Sequence, residues 1–147
     1  MTAPSFTLAF VVALSLTLAV RLWLAARQIA HVSAHRDATP AAFASRIDAA
    51  SHRKAADYTV AKQRLGMLET AVDAAVLLLI TLGGGLAWLF AATEALDAPA
   101  IVRDVLLLVG VGAIGGIASL PFSWWRTFLV EERFGFNKMT FKLWLID

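Results

Sequence analysis

His31 and His35 lie four residues apart, the spacing that places two imidazoles on one helix face to share a metal ion. Zinc-dependent hydrolysis on such a pair also needs a Glu directly after the first His as general base, and Val32 stands there. With no further carboxylate ligand nearby, the pair reads as two solvated histidines beside a membrane, and His52 stands alone. Glu69 and Asp73 are also four apart, at the start of an apolar run. Carboxylates so close to hydrocarbon are costly unless they face water or a partner. They either line a polar cavity or ion path, or anchor the chain at the interface near Lys62 and Arg64. A glycine-rich phosphate loop and a nucleophile–base pair are both missing, and without cysteine no disulfide or thiolate metal site can form. The chain therefore holds no complete catalytic constellation.

The elements that must position these residues are membrane helices. Apolar residues make up 59% of the chain and charged residues 16%, with a mean hydropathy of +0.71. A soluble domain would lack polar cover at that composition, so the fold class is all-α and polytopic, in about one domain. Three runs qualify as spans, at about 5–24, 70–92 and 105–122. Twenty residues at about 1.5 Å each cover the hydrocarbon thickness. The first run has its basic residues after it, which favours a retained helix over a secretory leader. Gly83-Gly84-Gly85 in the second run, and Gly110, Gly112, Gly115 and Gly116 in the third, read as small-residue faces for close helix packing. Pro121 reads as the end of the third span.

Charge sets the orientation. Eight Lys/Arg fall between Arg21 and Arg64, and four follow residue 122. Residues 91–104 carry one, Arg103, against Glu94, Asp97 and Asp104. The positive-inside rule puts the 25–69 connection and the 123–147 tail in the cytoplasm, and the N-terminus outside. Thr39-Pro40 reads as a helix start with Phe43 and Ile47 on one face. A second helix is expected from His52 into the membrane, with a stripe of Tyr58, Ala61, Leu65, Leu68 and Val72. Arg53, Lys54, Lys62 and Arg64 would sit at headgroup level, touching anionic lipid or a further cytoplasmic domain. Basic residues between two spans argue against nucleic-acid binding.

In the tail, Trp124 and Trp125 suit the interfacial aromatic belt. A helix over 126–134 is expected to stop at Gly135 in a left-handed cap, with Asn137 starting the next one. The apolar pattern of Met139, Leu143, Trp144 and Ile146 is cut at Asp147, as expected of a fragment.

This tail resembles the N-terminal region of the integral-membrane zinc metallopeptidases that process prenylated C-a-a-X proteins, the type I CAAX prenyl proteases. The resemblance rests on Pro121-Phe122, Thr127-Phe128, Glu131-Glu132, Phe134-Gly135-Phe136-Asn137-Lys138 and Thr140. A second match is Lys54-Ala55-Ala56-Asp57-Tyr58-Thr59 with Ala61-Lys62. Trp125 departs from the tyrosine many members carry nearby. The resemblance implies a membrane enzyme whose spans enclose a water-filled chamber. Its zinc would be held by a downstream H-E-x-x-H helix and a later Glu, none of them in this chain. No catalytic or metal residue is therefore carried over, and these 147 residues alone are expected to be inactive. Glu69 and Asp73 would line the chamber. Glu131, Glu132, Phe134, Gly135, Phe136, Asn137 and Lys138 would pack against the catalytic domain of the same polypeptide. The expected partners are the bilayer, that domain, and a peptide or prenylated-peptide substrate. The rival class is a small non-enzymatic membrane scaffold or transporter accessory subunit held by its glycine faces; a third is a chain that binds lipid-modified peptides without cutting them.

Overall fold

The computed structural model of the chain describes residues 2–39 and 48–146. The helix start read at Thr39-Pro40, with Phe43 and Ile47, and the break at Asp147 lie outside or at the edge of the described residues. Within them the order is α1 (Ala3–Ala34), α2 (Ala49–Thr81), α3 (Gly85–Glu94), α4 (Ala100–Trp125), a π-helical turn (Arg126–Glu131) and α5 (Phe141–Ile146). No strand occurs among the described residues. The protein is all-α.

α1 and the continuous helix Ala100–Glu131 are each long and apolar enough to cross a membrane, and α2 with α3 qualifies as one bent pair. None of α1 is buried by other parts of the chain. Apolar helices with no protein cover need lipid or further helices around them. Hydroxyls inside these helices are satisfied locally. Thr17 donates to the Ala13 carbonyl at 2.8 Å, Thr81 to Leu77 at 2.6 Å and Ser119 to Gly116 at 2.9 Å. Such back-bonding lets Ser and Thr enter hydrocarbon without an unpaired donor.

The chain divides into two compact units, one of residues 1–68 with 122–147 and one of residues 69–121. In the second, the three glycines do not form a packing face. The Leu82 and Gly83 amides both donate to the Leu78 carbonyl, and Gly84 takes φ +84°. That left-handed residue stops α2, and α3 restarts at once with a 52° bend. The neighbours of Gly84 are also confined, since a Cβ on Gly83 would lie 2.7 Å from the Leu79 carbonyl oxygen. α3 packs on α4 where Leu89 meets Gly110; a Cβ there would sit 3.0 Å from Leu89 Cδ2. Gly112, Gly115 and Gly116 face open space, so only Gly110 of the expected second glycine face meets a neighbour among the described residues. Arg103 pairs with Glu94 at 3.1 Å across the 95–99 turn.

Pro121 does not end a helix. It lies inside α4, and the helical path runs on through the π turn to Arg133. Proline costs one backbone hydrogen bond and crowds the preceding turn. The helix absorbs this because its neighbours on the 122–130 side are packed: Phe122, Thr127 and Val130 are buried.

Candidate functional site

The first unit gathers the end of α1, the start of α2 and the tail. α2 begins at a cap absent from the sequence reading. Asp48 accepts from the Ser51 amide and the Ser51 hydroxyl, both at 2.8 Å. These bonds satisfy a free first-turn N–H and hold the Asp48 carboxyl below the usual carboxylate range.

Two ion pairs tie the end of α1 to α2. Arg36 donates from Nε to Asp57 Oδ1 at 2.6 Å and from a terminal nitrogen to Oδ2 at 2.8 Å. The planar fork matches the carboxylate edge-on, the strongest geometry for such a pair. Hydrogen bonding to Arg36 holds the Asp57 carboxyl below its ordinary value, with Arg133 adding to the effect. The same bonds raise the Arg36 guanidinium. Beside them, Arg53 reaches Asp37 at 2.6 Å. The His52 ring donates to the His35 carbonyl at 3.1 Å, and the His35 ring to the His31 carbonyl at 2.8 Å. His31 and His35 do share a helix face, with ring centroids 4.4 Å apart. One ring nitrogen of His35 is spent on a carbonyl. No group of three or more His, Asp or Glu is arranged to hold a metal among the described residues.

The tail docks on α2 through aromatic rings. Gly135 at φ +67° closes the helix as expected, with the Phe136 amide bonded to the Glu131 carbonyl and the Gly135 amide to Glu132. That doubly bonded stop turns the chain sharply. It presents Phe134 and Phe136 edge-on to Tyr58, with centroids 5.6 and 4.9 Å away. Lys54 sits 5.1 Å over the Phe136 ring, and Lys62 sits 5.9 Å over Tyr58. The two motifs that carry the family resemblance, 70 or so positions apart in sequence, thus touch in space. The restart differs from expectation. Asn137 accepts from the Met139 amide at 2.7 Å and donates to Glu132 at 2.9 Å, forming a turn rather than a cap. Thr140 caps α5 by accepting from the Leu143 amide at 3.3 Å. Beyond it, Trp144 donates to Ser123 at 3.0 Å and stacks with Phe141 at 5.8 Å.

The expected site residues fall in both units. Phe134, Gly135 and Phe136 are engaged with α2, while Glu132 and Lys138 remain exposed. Glu69 and Asp73 belong to the other unit, the first half-buried and the second exposed. The Arg36–Asp57 pair had no signal in the sequence, because its members lie 21 residues apart, one in the turn after α1 and one on α2. Asp48-x-x-Ser51 was a readable capping pattern.

Long apolar helices without protein cover, joined by a short polar and aromatic knot at one set of helix ends, define a multi-pass integral membrane domain. The family model for the CAAX prenyl protease N-terminal region, described as five membrane helices, matches residues 28–147. The chain belongs to that family. It is 28% identical over 139 residues to the "Probable CAAX prenyl protease 1" of Schizosaccharomyces pombe, covering 86% of this chain and 29% of the relative. It is 34% identical over 47 residues to "CAAX prenyl protease 1" of Saccharomyces cerevisiae, covering 32% of this chain and 10% of the relative. The chain thus spans under a third of the length of these relatives. No solved structure matches it.

Proposed function

We propose that these residues wall the chamber of a zinc metalloendopeptidase in a longer polypeptide, acting on peptide or prenylated-peptide substrates. The observation that carries this reading is the contact of Tyr58 with Phe134 and Phe136, because it joins the two motifs of the resemblance into one unit. In this reading the residues supply no catalytic group. In the same reading the zinc ligands belong to another part of the polypeptide. Glu69 and Asp73 line the chamber, and the exposed Glu132 and Lys138 meet the catalytic domain. The spans run at about 5–24, 70–92 and 105–122, with the N-terminus outside and the 25–69 connection and tail cytoplasmic.

Two experiments test this. The full polypeptide, reconstituted in liposomes, should cleave a farnesylated C-a-a-X peptide, and a chelator should abolish the cleavage. A coding sequence with no H-E-x-x-H helix beyond residue 147 would sink the enzyme reading. The chain has no cysteine, so single cysteines can be placed at 3, 60, 97 and 138 without background. Labelling by an impermeant maleimide from outside is expected at 3 and 97 only, and the reverse pattern defeats the orientation.

A further inference from the structure

Beside the Arg36–Asp57 pair, α1, α2 and the tail enclose a cavity of about 400 Å³. That size is typical of small-molecule sites. Its wall carries three arginines, Arg36, Arg64 and Arg133, against one carboxylate, Asp57. Arg36 is committed to Asp57 through both bonds. Arg133, whose guanidinium lies 5.8 Å over the Phe134 ring and also acts on Asp57, and Arg64 leave the wall with more positive than negative charge. The other basic residues near the start of α2 are turned to other work: Arg53 to Asp37, Lys54 to Phe136 and Lys62 to Tyr58. Apolar wall is present too, in Val60 and Phe134.

We infer that this cavity binds a phosphate ester, supplied either as the headgroup of an anionic phospholipid or as a soluble phosphate. Guanidinium forks pair with phosphate oxygens through two parallel hydrogen bonds, and three arginines against one carboxylate leave an excess of two positive charges to match the one to two negative charges of the group. The apolar wall accepts the ester's carbon side. Arg64 lies under two helical turns before the apolar stretch that begins near residue 70, roughly 9 Å along α2, at the outer edge of a headgroup layer about 5–7.5 Å deep that a long arginine side chain reaches. That placement favours the lipid source. The site is independent of the peptidase reading and needs no zinc.

Native mass spectrometry of the detergent-solubilised protein tests it, with dihexanoyl phosphatidic acid in one arm and inorganic phosphate in the other. Arg64→Gln/Arg133→Gln should weaken lipid binding about tenfold or more. Arg27→Gln, whose guanidinium stacks on Trp23 at 4.9 Å outside this cavity, should bind as the unaltered protein does. Arg64→Lys/Arg133→Lys keeps the charge without the fork and should fall between the two. It carries the test alone if the glutamine variant loses its helical circular dichroism. Arginine-dependent binding of inorganic phosphate as tight as that of the lipid would assign the soluble source. Equal affinity of all variants for both ligands, or no binding by the unaltered protein, overturns the inference.

Discussion

The unit built from residues 1–68 and 122–147 and the unit of residues 69–121 hold together in different ways. The first has directed contacts: a two-bond Arg36–Asp57 pair, a second ion pair, and rings meeting edge-on around Tyr58. The second shows the Arg103–Glu94 pair, the Leu89–Gly110 contact and a glycine break, while most of its large apolar side chains face outward. The Arg36–Asp57 and Arg53–Asp37 pairs are well exposed, and their charged groups keep the solvation of water or headgroups there. Outward apolar side chains need the opposite surroundings. The directed contacts of the first unit and the outward apolar faces, which its α1 also carries, thus suit different solvents, and the two regions should fail under different kinds of substitution.

Tyr58→Ala should have the largest effect. It removes both edge-on ring contacts and the surface beneath Lys62, a loss of about 2–3 kcal/mol. Limited proteolysis in detergent should then cut the 134–140 segment first; an unchanged cleavage pattern would mean the ring contacts do not hold the tail. Gly84→Val tests the other unit. A branched residue at φ +84° costs about 2 kcal/mol, lowering the midpoint of thermal unfolding while leaving the tail protected. Should the tail be released as well, the division into two differently held regions fails.

Gly110→Ala sharpens the contrast within the second unit. Its new Cβ meets only the end of the flexible Leu89 side chain, so the change should stay within about 1 kcal/mol. Gly112→Ala, with open space around it, should not destabilise the protein. A large loss at Gly112 would mean that another helix covers it. The smallest effect is electrostatic. Asp57 has a folded pKa below its unfolded value, so its contribution is fully present above about pH 4 and is lost as pH falls through the folded value. Asp57→Asn should therefore lower stability more at pH 7 than at pH 3. Equal loss at both would show that the hydrogen-bond shape, not the charge, matters.

Much of the fold was legible because hydrophobic runs are local signals. The three runs, the helix entering the second of them and the Gly135 stop could all be read from neighbouring residues. The misreadings came from features whose meaning depends on what surrounds them. Three glycines in an apolar run look alike whether they pack helices or stop one, and only the left-handed Gly84 backbone separates the cases. Pro121 looked terminal because intrinsic cost says so, yet packing at Phe122, Thr127 and Val130 carries the helix past it. Asn137 and Thr140 are both good caps by type, and the choice was made by the Glu132 side chain, which takes the Asn137 amide. The Arg36–Asp57 pair lay beyond any local pattern.

The π-helical turn at Arg126–Glu131 has a consequence for how this segment tolerates length change. A π turn holds roughly one residue more than an α turn, and each residue of an α-helix advances the facing direction by about 100°. The turn therefore works as a one-residue phase shifter between Phe122 and the tail. Deleting a single residue from 126–131 would therefore let the turn relax to α geometry and leave Phe134 and Phe136 facing Tyr58, whereas deleting one from the α-helical stretch before it would swing them away by roughly 100°.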